Sequence, residues 1–75
     1  MKDIRGVLIN CRIRSGLNQA DMAREYDINL SDINRFEKGW RKPVKIVLAY
    51  LKMARENGFI EEAFTAEEVL EWLAD

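Results

Sequence analysis

The segment LSDINRFEK, residues 30–38, concentrates side chains suited to recognising a polar partner. On a helix advancing about 100° per residue, Ser31, Asn34, Arg35 and Lys38 share one side. Leu30 and Asp32 flank them, while Ile33 and Phe36 face the opposite way with Glu37 beside them. The outward set matches base edges in kind: arginine suits guanine, asparagine suits adenine, and serine suits either. A merely solvated helix carries similar residues, so the pattern permits base reading without requiring it. Catalytic chemistry has less support. The carboxylate pairs Glu61–Glu62 and Glu67–Glu68 sit in an acidic segment with no histidine or cation beside them and read as a solvated face. No glycine-rich phosphate cradle and no nucleophile–base arrangement is visible, so the expectation is a protein that is not an enzyme and uses no cofactor.

Presenting such a helix requires a frame, and the periodicity predicts an all-α one of five helices. The first runs from about Lys2 to Ser15, with Ile4, Val7, Leu8 and Cys11 at three- and four-residue spacing. Gly16 is a C-terminal stop and Asn18 an N-cap for a short second helix, Gln19 to Tyr26. Asn29 caps the third, Leu30 to Lys38, which stops at Gly39. Pro43 fits the first turn of a fourth, Val44 to Asn57. That helix carries two apolar stripes, Val44, Val47, Leu48 and Leu51 on one and Ile46, Tyr50 and Met53 on the other, so it must be covered on two sides. Gly58 ends it, with Phe59 folding back on its last turn. Thr65 and Glu68 have capping-box spacing for a fifth helix, 65–74, whose apolar face is Val69, Leu70, Trp72 and Leu73.

The chain has 75 residues and a net charge of −1, but the charge is unevenly placed. Residues 1–58 hold all twelve Lys and Arg with seven of the thirteen acids, and residues 59–75 hold six acids and no base. The first block suits a polyanion and the second would avoid one. An ordinary acidic final helix explains the same asymmetry. One cysteine rules out an internal disulfide framework, and the absence of histidine argues against zinc. There is no signal-peptide layout, and the apolar run IVLAYL is too short for a bilayer. The expected setting is a reducing cytoplasm, with no membrane partner. A core of this size is marginal, which favours a homodimer.

Two short helices joined by a tight turn, the second capped and amphipathic, make a helix-turn-helix, here over 19–38. The stretch RIRSGLNQADMAREYDINLSDINRFEKGWRKP, residues 12–43, resembles the lambda-repressor-like (Cro/C1, XRE) family. The family pattern Gln-Ala/Glu-x-Leu-Ala, a turn, Ser-x-Ile-x-x-Leu/Phe-Glu-x-Gly and Lys-Pro is met without a gap. The resemblance implies a DNA-binding domain over 1–58, with 59–75 as an acidic segment for packing or dimerisation. It implies phosphate contacts from Gln19 and the backbone near Asn18, and from Lys38, Arg41 and Lys42 on the loop after the third helix. Ser31 and Arg35 fall on base-reading positions, with Asn34 beside them. Ala23 matches the small residue at the helix crossing, and Arg12 with Glu37 matches a salt bridge tying the first helix to the third.

Two positions depart from the pattern. The turn glycine is replaced by Asp27, one of the few residues that tolerate a left-handed conformation. Asp32 is unusual near the start of a helix meant for a polyanion. Either it benefits from the positive helix end, or it accepts from cytosine and repels wrong sequences. Trp40 is open between lying along a sugar–phosphate strand and packing over the loop.

The expected activity is that of a small bacterial or phage repressor. It would bind double-stranded operator DNA as a homodimer on an inverted repeat and occlude a promoter, that of its own operon being one candidate. Candidate dimer contacts are Tyr50, Phe59, Leu70, Trp72 and Leu73. The alternative is a protein-binding or antitoxin-like module that grips a partner through the acidic last helix.

Overall fold

Capping chemistry sets most of the helix boundaries in the computed structural model, which describes residues 3–59 and 64–75. Helix α1 spans Ile4–Arg14, because the Asp3 carboxylate accepts from the Gly6 amide and closes its first turn. The expected start at Lys2 lies outside the described residues. Helix α2 spans Gln19–Glu25 behind a reciprocal box between Asn18 and Asp21. Helix α3 spans Leu30–Glu37 behind Asn29, whose side chain accepts from the amides of Ser31 and Asp32. Helix α4 spans Val44–Glu56 after Pro43, and α5 spans Ala66–Ala74 behind the Thr65–Glu68 box. Each such cap typically stabilises a helix by about 1 kcal/mol. Among the described residues there are five helices and no strand.

The turn between α2 and α3 bends at Asp27, the one described non-glycine residue with positive φ, +51°. Its carboxylate side chain tolerates that region better than most, at some cost in strain. After α3 the chain reverses through Gly39 at φ +87°, and the Trp40 amide returns to the Arg35 carbonyl at 3.0 Å. The same six-residue closure joins Phe59 to Ala54 beyond α4, at 2.8 Å.

Packing follows the apolar stripes. Helix α1 lies against α4, α2 against α3, and α3 against α4. Leu8 and Cys11 of α1, Met22 of α2, Ile33 and Phe36 of α3, and Ile46, Val47, Tyr50 and Met53 of α4 are enclosed together. Helix α5 contributes buried Val69, and Trp72 stands edge-on to Phe36 with ring centroids 6.2 Å apart.

Of the two stripes on α4, only the inner one is closed. Val44 and Leu48 on the outer stripe remain 57 % and 58 % exposed. Tyr50, expected at a subunit contact, is fully enclosed, because its ring packs on Phe36 at 5.0 Å and its hydroxyl donates to Glu37. It therefore belongs to the core and not to an interface. Among the described residues no helix is long and apolar enough to cross a membrane.

Candidate nucleic-acid interface

Helix α3 is held from behind by one carboxylate. Arg12 grips Glu37 with both arms, Nε to Oε2 at 2.8 Å and Nη2 to Oε1 at 3.0 Å, while Nη1 reaches the Leu17 carbonyl at 2.6 Å. The Tyr50 hydroxyl and the Gln19 amide, Nε2 to Oε1 at 3.0 Å, also donate to Glu37. Both members of the ion pair are nearly enclosed, at 11 % and 10 % side-chain exposure. Burial alone would raise the Glu37 carboxyl, but the hydrogen bonds from Arg12, Tyr50 and Gln19 outweigh it and hold it below its ordinary range. The hydrogen bond to Glu37 keeps Arg12 more firmly protonated, and burial with the same carboxylate pushes Tyr50 upward. Desolvation offsets much of the attraction in such a pair, so its main effect is orientation. The carboxylate joins α1, α2 and α4 to the end of α3 at a single point.

The outward face of α3, turned away from buried Ile33 and Phe36, is open. Gln19, Leu30, Ser31, Asn34, Arg35 and Trp40 line a shallow concavity of about 400 Å³ with no carboxylate in its wall. Ser31, Arg35 and Trp40 are exposed, and Gln19 and Asn34 are half-buried. Asn34 Nδ2 donates to Gln19 Oε1 at 3.3 Å, so these two amides are linked across the helix crossing. Arg35 reaches Asp32 at 3.4 Å, one turn back on the same helix, with both groups close to half exposed. An exposed pair of this kind contributes little stability. It does pre-orient the guanidinium along the helix. The i, i+3 spacing of Asp32 and Arg35 signals this contact in the sequence.

The remaining expected contact residues divide. Lys38 Nζ lies over the Trp40 ring, 5.0 Å from its centroid, and the ring is largely exposed, so it is not packed down over the loop. Arg41 is exposed on the following loop, and its carbonyl accepts from Arg5 Nη2 at 3.3 Å. Asn18 is committed to the α2 capping box through both its amide and its side chain. Lys42 departs from expectation: its ammonium donates to the Trp72 and Asp75 carbonyls and lies 5.3 Å from the Trp72 ring centroid. It closes the C-terminal end of α5, where cations are favoured, and does not join the open face.

No local signal in the sequence marks Arg5, whose partners Phe36, Arg41 and Trp72 are all distant along the chain. Its guanidinium carbon lies 5.3 Å from the Phe36 ring centroid and 5.4 Å from that of Trp72, and its buried Nε has no acceptor among the described residues. Together, Arg5 and Lys42 explain why Trp72, expected on an interface, turns inward instead. Phe59 is half-buried beneath the Arg14 guanidinium at 4.4 Å. Leu70 is 66 % exposed, and it borders an apolar groove of about 600 Å³ with Val44, Leu48, Leu51, Phe59 and Leu73.

Comparisons with protein-family models, with curated proteins and with solved structures give no match for this chain.

Proposed function

We propose that the protein is a sequence-specific DNA-binding regulator of the lambda-repressor-like helix-turn-helix kind. In this reading α3 enters the major groove, Ser31, Asn34 and Arg35 read base edges, and Gln19, Lys38 and Arg41 meet phosphates. The observation that carries the proposal is the two-sidedness of α3. The inner side is buried through Ile33 and Phe36 and anchored beside them through Glu37, and the outer side presents a concavity whose lining includes the hydrogen-bonding side chains of Gln19, Ser31, Asn34 and Arg35. A helix so fixed loses little freedom on docking, which favours specific binding. The slight negative net charge does not oppose this, because the six acids of 59–75 lie outside the helix-turn-helix.

The apolar groove beside Leu70 supplies the second half of the proposal. Two copies meeting through Val44, Leu48 and Leu70 would cover side chains that are otherwise left in water. To read an inverted repeat, such a dimer would have to hold its two α3 helices one turn of DNA, about 34 Å, apart. Such a dimer binds an inverted repeat and represses by covering a promoter.

Selection from a pool of random duplex DNA tests the reading directly. The expected product is a two-fold symmetric motif with half-site centres about 10 bp apart. Recovery of no motif contradicts it and leaves the groove to a protein partner.

A further inference from the structure

The contacts behind α3 form a directional chain. Glu37, as a carboxylate, only accepts hydrogen bonds. Gln19 must therefore turn its NH2 toward Glu37, as it does with Nε2 at 3.0 Å from Oε1. That choice points the Gln19 amide oxygen toward Asn34, which has to answer with a donor, Nδ2 at 3.3 Å. Asn34 is left with its carbonyl oxygen and one N–H without a partner among the described residues, on a side chain that lines the open concavity. A carbonyl beside an N–H is the edge that pairs with adenine N6 and N7. Were the chain reversed, Asn34 would accept from Gln19 and present two N–H groups, a set suited to the N7 and O6 acceptors of guanine.

We infer that Glu37, acting through Gln19, fixes the amide orientation of Asn34 and thereby makes it a reader of adenine over guanine. The inference rests on the DNA-binding reading above and adds to it two positioning residues that determine specificity without touching the base. The Arg12 and Tyr50 donors to Glu37 leave its charge in place, so the direction of the chain is built into the core.

The test repeats the selection from random duplex DNA with the wild type and with Asn34→Ala, Gln19→Met and Glu37→Gln. Asn34→Ala identifies the motif column that Asn34 reads, which is expected to be adenine. Gln19→Met removes the link and leaves the Arg12–Glu37 pair intact. Adenine-over-guanine preference at that column is then expected to fall by about tenfold or more, with the other columns unchanged. Loss of a phosphate contact alone would instead weaken every sequence equally. Glu37→Gln allows a donor to face Gln19 and should relax the same column. If that variant does not fold, Gln19→Met carries the test.

A wild type that selects no motif overturns the DNA reading and this inference with it. A wild type that selects a motif whose Asn34 column is unchanged in Gln19→Met overturns the inference alone. The side-chain amide signals in 15N-resolved NMR spectra of the DNA-free protein give a separate check. The Asn34 signals should shift in Gln19→Met and in Glu37→Gln, and signals that stay in place contradict the chain.

Discussion

Two adjacent residues at the C-terminal end of α3, Phe36 and Glu37, are fastened to the rest of the molecule by different physics. At its back, Glu37 takes hydrogen bonds from α1, α2 and α4, a polar clamp with defined directions. A few ångströms away, α5 is attached through Trp72 by an edge-on ring contact with Phe36, by the cations of Arg5 and Lys42, and by buried Val69. The clamp tolerates one geometry, because an unpaired buried charge is costly. The aromatic attachment tolerates several, since dispersion and cation–π contacts vary gently with angle. The labour is divided accordingly: the part proposed to read DNA is held in one geometry, and the part proposed to meet a second copy can adjust.

Removing the clamp should have the largest effect. Glu37→Ala leaves Arg12 nearly buried without its partner and is expected to destabilise the fold by about 3 kcal/mol. For a domain of this size that lowers Tm by about 15 °C, measurable by circular dichroism. The pH dependence follows from the direction of the Glu37 shift. Its folded-state value lies below its unfolded one, so its contribution is complete above the ordinary carboxylate range and is lost as pH falls through the folded value. Urea titrations at pH 7 and near pH 3 should therefore show the gap between wild type and Glu37→Ala narrowing in acid. A gap that widens in acid contradicts the clamp.

Trp72→Ala should come next, at about 2 kcal/mol, and should act locally. Hydrogen exchange is expected to lose protection over 64–75 while the amides of α1 to α4 keep theirs. Uniform loss across the chain would erase the distinction between the two attachments. Asp27→Gly makes the smallest change. It relieves a left-handed conformation and adds unfolded-state freedom, for a net gain of up to about 1 kcal/mol. Thermal melting decides the sign, and a loss greater than about 0.5 kcal/mol would show that the Asp27 side chain has a further role.

In both regions, what the sequence reveals is set by separation along the chain. Asn18, Asn29 and Thr65 announce helix starts because capping acts within three residues. Asp27 was legible as a left-handed turn for the same local reason. Within α3, the wheel separates Ile33 and Phe36, which are buried, from Ser31 and Arg35, which are exposed. What escaped depends on distance along the chain. Lys42 meets Trp72 30 residues later, and Arg5 meets Arg41 36 residues later. Lysine after a recognition helix looks like a phosphate ligand until the C-terminal carbonyls of α5 are seen to occupy it. Tyr50 lies on an apolar stripe whichever surface covers that stripe, so periodicity alone could not separate core from interface. The chain from Glu37 through Gln19 to Asn34 joins two elements by side-chain amides, and no spacing rule signals it.

Whether the open face of α3 reads DNA can be decided by binding. The most direct measurement is a titration of the selected duplex against a scrambled duplex of equal length, at two salt concentrations, with the wild type and Arg35→Ala. The wild type is expected to favour its selected duplex by at least about 10³-fold and to bind both duplexes more weakly as salt rises. Arg35→Ala should lose about tenfold or more on the selected duplex and far less on the scrambled one. Equal affinity for the two duplexes, or binding indifferent to both salt and Arg35, would contradict DNA reading by this face.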